Sequence, residues 1–75
     1  MKEKIIGILS AQRPEFDFTT SGNFIEDGMI DSFDVVALVS EFEEAFDIEI
    51  DGEDIVPENF SSVEAIEELI NRSKS

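Results

Sequence analysis

The stretch Gly28-Met29-Ile30-Asp31-Ser32-Phe33-Asp34-Val35-Val36 sets one hydroxyl between two carboxylates, directly before a long apolar run. Elsewhere the inventory for chemistry is thin. The 75 residues hold no cysteine and no histidine. Thiolate nucleophiles, disulfides, zinc sites and histidine-based triads are therefore excluded, and neither a catalytic set nor a metal site is expected. Ser32 remains, and two readings of it compete. Serine and aspartate are both favoured helix N-caps, so Ser32 or Asp31 could accept from the first-turn amides. Both acids also suit the positive end of a helix dipole. Alternatively the hydroxyl is held out for attachment. Phe33 and Val36 fall off the apolar stripe of the helix that follows, which suggests a contact patch rimmed by acids. A helix start also tolerates a phosphate, because its free amides point outward.

Charge narrows the partners. There are 19 acidic and 5 basic residues, for a net charge of -14. The cations are Lys2, Lys4, Arg13, Arg72 and Lys74, so none lies between Pro14 and Asn71. Nucleic acid is a poor partner, since binding it needs clustered cations to displace counterions. Anionic membrane is poor for the same reason. A basic protein partner, met through electrostatic steering, fits this surface, and a monomer is expected because such a charge opposes self-association. Acidity also keeps a small protein soluble.

A calcium loop is one alternative use of the acids. Asp47-x-Glu49-x-Asp51-Gly52, with Glu58 six residues after the glycine, nearly matches an EF-hand. Against it, Glu49 stands where Asp or Asn is required, and Asp54 stands where an apolar residue packs inward. Pro57 directly precedes the final ligand, and no second loop is present to pair with. Diffuse attraction of divalent ions to the acidic surface is the better expectation, because cations relieve self-repulsion.

The elements that position Ser32 follow from periodicity. Ile5, Ile6, Ile8 and Leu9 have helical spacing and Pro14 ends the segment, giving a first helix from about Lys2 to Ala11. A long connection, about Gln12 to Asp31, holds Thr19, Thr20, Ser21, Gly22 and Asn23; loops of that length are often functional. Phe16, Phe18, Phe24, Ile25, Met29 and Ile30 are expected to pin it to the helices. Val35, Leu38, Val39, Phe42 and Phe46 lie on one face of a second helix, about Ser32 to Phe46, with Asp34, Glu41, Glu43 and Glu44 off that face. A short helical turn is expected around Gly52 to Ile55. Ser61 with Glu64 reads as a capping box opening a last helix whose stripe is Val63, Ile66, Leu69 and Ile70. The expected fold is all-α: one domain over 1–75, a bundle of three main helices with a short fourth. The opening MKEKIIGILSA mimics a signal peptide but lacks a small-x-small cleavage site. No run approaches the ~18 apolar residues of a membrane span. A soluble, unprocessed, cytoplasmic protein is expected.

In these features the sequence resembles an acyl carrier protein over nearly its whole length. That family's hallmark is Asp-Ser followed by a large apolar residue at the start of the second helix of an acidic bundle. Here it reads Asp31-Ser32-Phe33, preceded by Glu26-Asp27-Gly28-Met29-Ile30 and followed by Asp34-Val35-Val36. The stretch Glu43-Glu44-Ala45-Phe46-Asp47-Ile48-Glu49-Ile50 resembles the family's ending of that helix. The resemblance implies a non-enzymatic carrier. Ser32 would receive 4'-phosphopantetheine from coenzyme A through a separate magnesium-dependent phosphopantetheinyl transferase, and the arm would carry acyl or aminoacyl groups as thioesters. It implies that Phe33 and Val36 touch partner enzymes, and that Asp31, Asp34, Glu43 and Glu44 meet basic docking patches on that transferase and on acyl-loading and acyl-transfer enzymes. Phe33 stands where the family usually has leucine, Ala37 where fatty-acid carriers often have glutamate, and Ser40 where an apolar contact is frequent, which favours a dedicated carrier. The alternative is an unmodified acidic interaction adaptor with the same fold, in which Ser32 is only a cap.

Overall fold

The chain is described here by a computed structural model covering residues 1–19 and 22–74; Thr20 and Ser21, expected in the long connection, lie outside the described residues. Three α-helices carry the architecture: α1 (Lys2–Gln12), α2 (Ser32–Phe46) and α3 (Val63–Lys74). No strand occurs among the described residues. The short turn expected near Gly52 is a 3₁₀ turn at Gly52–Asp54, and a second 3₁₀ turn follows at Pro57–Phe60, with proline in its first turn.

Two contacts at opposite ends of α1 fix its direction against α2. Lys4, near its start, donates to the Ala45 carbonyl at the end of α2 at 2.8 Å and lies 5.1 Å from the Phe46 ring centroid. Arg13, just past its end, reaches Asp34 in the first turn of α2. The two helices therefore run antiparallel, and the loop between them must travel the length of the molecule.

That loop is held by its apolar residues, as its sequence leads one to expect. Phe18, Phe24, Met29 and Ile30 are buried, while Phe16 and Ile25 pack half-buried against the same core. Phe18 and Phe24 meet edge to face with centroids 5.0 Å apart. Several of the loop's described backbone groups are bonded within the loop. The Asn23 side chain accepts from the Ile25 and Glu26 amides, and the Phe24 carbonyl accepts from Met29 and Ile30. Gly28 turns the chain at φ +71°, where a side chain would be strained. The Phe24 amide donates to Ser61 at 2.6 Å, tying the loop to the approach of α3.

The core is one cluster drawn from the three helices, the long loop and the second 3₁₀ turn, with Ile5, Leu9, Leu38, Phe42, Phe60, Ile66, Leu69 and Ile70 fully buried. Phe60 stacks on Phe42 with centroids 6.3 Å apart, so the second 3₁₀ turn contributes a major core side chain. The start of α3 differs from the expected capping box. Ser62, not Ser61, accepts from Ala65 at 3.1 Å, and its carbonyl takes the Ile66 amide. Ser61 donates its hydroxyl to the Glu58 carbonyl and so closes the preceding turn. Tandem serines leave the frame open by one residue, and the turn at Pro57–Phe60 decides it.

Candidate functional site

The start of α2 settles which residue caps. Asp31 is the N-cap, and its carboxylate accepts from the amides of Phe33 and Asp34, both at 3.0 Å. In return the Asp34 carboxylate accepts from the Asp31 amide at 3.1 Å, which completes a capping box. Ser32 is thereby displaced into the first helical position. Its side chain is exposed and its hydroxyl makes no hydrogen bond among the described residues. The amides expected to be free for a phosphate are not: the Asp31 side chain occupies those of Phe33 and Asp34. The helix dipole remains to favour an anion there.

The apolar residues beside Ser32 point outward as their spacing implies. Phe33 is 85% exposed and Val36 65%, an unusual state for side chains of that size. Glu44 and Asp31 are exposed as well. Two other expected surface acids are engaged internally. Asp34 is only 4% exposed, which corrects the expectation that it lies on the outer face. It turns back to the end of α1, where Arg13 donates to its two oxygens from Nε (3.1 and 3.0 Å) and Nη2 (2.8 Å), and Gln12 donates at 3.1 Å. Burial raises the pKa of Asp34, but the hydrogen bonds from Arg13, Gln12 and the Asp31 amide, with the Arg13 charge, outweigh it and hold the group below its ordinary value. Glu43 is half-buried and accepts from the Ile50 amide at 3.0 Å, so it closes the turn after α2. That turn needs Asp47 in the left-handed region at φ 53°, a conformation aspartate tolerates.

Arg13 was not foreseen as part of this site. The signal was present: it is the only cation between Lys4 and Arg72, directly before the loop that delivers Ser32. Its guanidinium also lies 3.7 Å from Asp31 and 3.7 Å from Glu15. One cation therefore faces three acids around the start of α2. Among the described residues no group of three or more acids is arranged to hold a metal ion.

A family model described as a phosphopantetheine attachment site matches residues 2–70. The chain belongs to that family. Searches of curated proteins and of solved structures returned no significant match. Domains of this carrier family are where 4'-phosphopantetheine is covalently attached. The start of α2 in this carrier fits the group: an exposed hydroxyl freed from capping stands at the positive end of a helix, with an apolar shelf beside it. No helix of the described residues is long and apolar enough to cross a membrane.

Proposed function

We propose that the chain is a carrier domain, that Ser32 bears the 4'-phosphopantetheine, and that the protein presents acyl or aminoacyl groups to partner enzymes without itself being an enzyme. The observation that supports this most directly is the division of labour at the start of α2. Asp31 does the capping, so Ser32 has no local structural duty and its oxygen is open to solvent. The group supplies, when bound, the thiol on which cargo is held as a thioester, and this accounts for a working carrier with neither cysteine nor histidine.

The chain's own residues have three tasks. The cap and helix hold the hydroxyl outward. Phe33 and Val36 offer an apolar contact to the modifying transferase and to enzymes that load or unload cargo. Asp31 and Glu44, with Glu43 contributing field more than direct contact, attract basic patches on those partners. A cytoplasmic, monomeric protein suits this role.

Intact mass after incubation with coenzyme A, magnesium and a broad-specificity phosphopantetheinyl transferase tests the reading, beside Ser32→Ala. A gain of one phosphopantetheine in the parent alone is the expected result. A gain in both proteins would move the attachment point. No gain in a folded parent would favour an unmodified acidic adaptor that uses the Phe33–Val36 shelf alone.

A further inference from the structure

The one buried acid of the described residues, Asp34, is not needed for the carrier chemistry as such, and its partners lie on another element. Its carboxylate gathers four side-chain and backbone donors: two Arg13 nitrogens, Gln12 and the Asp31 amide. The last of these matters most, because Asp31 is the residue whose own carboxylate holds Phe33 and Asp34. Arg13 thus donates to the Asp34 carboxylate, which also accepts from the Asp31 amide, while the Asp31 carboxylate accepts from the two amides that follow Ser32. Ser32 sits inside this closed loop and contributes nothing to it.

We propose that Arg13 and Asp34 form a positioning latch that fixes the backbone of residues 31–34 to the end of α1 and so aims the Ser32 hydroxyl for modification. This rests on Ser32 being the attachment point. The geometry favours a latch over a surface charge pair. Asp34 is 4% exposed and takes Arg13 through a side-on, two-nitrogen contact, the arrangement that adds directional constraint to charge attraction. The loop preceding Ser32 offers no equivalent restraint: Met29 and Ile30 anchor it in the core, but Asp31 and Ser32 are both exposed. Without Arg13, the first turn of α2 would keep the reciprocal contacts between Asp31 and Asp34 and only one neutral donor from α1, the Gln12 amide. A hydroxyl held within a narrow cone reacts faster than one that wanders, because orientation is settled before the encounter.

A rival role for each residue predicts a different kinetic signature. If Asp34 met a basic patch on the transferase, Asp34→Asn would raise KM and leave kcat alone. If Arg13 only tempered the acidic surface, Arg13→Gln would speed modification at low salt, since the variant is more negative and the partner basic. The latch requires the opposite in both. Under saturating carrier, Arg13→Gln and Asp34→Asn should each lower kcat about tenfold with KM nearly unchanged, and Arg13→Lys should recover only part of the loss, since an ammonium cannot make the two-nitrogen contact.

Backbone ¹⁵N order parameters give a readout independent of modification. In Arg13→Gln, those of Ser32, Phe33 and Asp34 should fall from about 0.85 toward 0.6, while those of Ile66, Leu69 and Ile70 hold. A KM effect in Asp34→Asn, faster modification of Arg13→Gln, or an equal loss of order in α3 would each overturn the latch. If the parent accepts no phosphopantetheine, the attachment reading fails by itself. The order parameters then decide the latch, and unchanged values at Ser32 and Phe33 in Arg13→Gln would refute it.

Discussion

Ser32 and Asp31 are neighbours with interchangeable chemistry in the short-range code for helix starts, yet the structure gives them opposite duties. Asp31 spends its carboxylate on the amides of Phe33 and Asp34, and Ser32 spends its hydroxyl on nothing among the described residues. The division has a measurable consequence for stability. Asp31→Ala removes a two-amide cap and should cost about 1 kcal/mol in urea unfolding. Ser32→Ala, at an exposed position with no bond to lose, should stay within about 0.5 kcal/mol of the parent. The reverse ranking would make Ser32 the cap after all and would weaken its claim as an attachment point. A comparable division separates Glu43 from Glu44. Glu43 accepts from Ile50 and closes a turn, whereas Glu44 is exposed. A charge reversal at Glu43 therefore mixes turn stability with partner attraction, and Glu44→Lys is the cleaner probe. Glu44→Lys should lower kcat/KM for modification at low salt, and the deficit should shrink as salt screens the surface field. A deficit that persists undiminished at high salt would point to direct contact, not to steering.

At the scale of elements, α2 owes its position to contacts that periodicity cannot show. Its buried stripe of Val35, Leu38, Val39 and Phe42 was legible from spacing alone, as were its limits at Ser32 and Phe46. Asp34 was misplaced by the same reasoning, because a helical wheel assigns a face and not a partner; a buried aspartate becomes tolerable only when Arg13 and Gln12 arrive from α1. The second 3₁₀ turn was invisible for a related reason. Pro57-Glu58-Asn59-Phe60 has no repeat to detect, and Phe60 is recognisable as core only once Phe42 is opposite it. The Ser61–Glu64 pairing failed because capping signatures fix a frame only when one candidate is available, and here the Glu58 carbonyl claims the first serine. What the turn contributes can be weighed directly. Phe60→Ala empties a fully buried site shared with Phe42 and should destabilise the fold by about 3–5 kcal/mol in denaturant unfolding. A loss near 1 kcal/mol would mean that the turn collapses onto α2 and refills the space.

At the scale of the whole molecule, surface repulsion opposes the fold while the buried Asp34 paired with Arg13 supports it, and pH separates the two. Near neutrality a net charge of -14 on a 75-residue chain opposes compaction, so added salt should raise the melting temperature at pH 7. Lowering pH toward the isoelectric point near 4.1 removes that repulsion and should also stabilise. Asp34 works in the other direction. Its pKa is held below the ordinary carboxylate value in the folded state, so the native protein binds fewer protons than the unfolded chain in that range. The stability it confers is fully present above the unfolded value of 3.8 and is lost as pH falls through the lower folded value. The groups facing it are Arg13, Gln12 and Asp31, with Glu15 on the far side of the guanidinium. Arg13 stays charged throughout; Asp17, held low by its hydrogen bonds from Thr19, shares the acid limb, so the part that Asp34→Asn removes is the part that reports Asp34. Urea unfolding from pH 7 to pH 2 should therefore show stability rising as the surface is neutralised, then turning down below the ordinary carboxylate value. In Asp34→Asn the rise should survive and the downturn should be blunted, so that the gap between variant and parent closes in acid. A gap that stays constant down to pH 2 would show that the Asp34 carboxylate contributes by shape and hydrogen bonding alone, with no net gain from its charge.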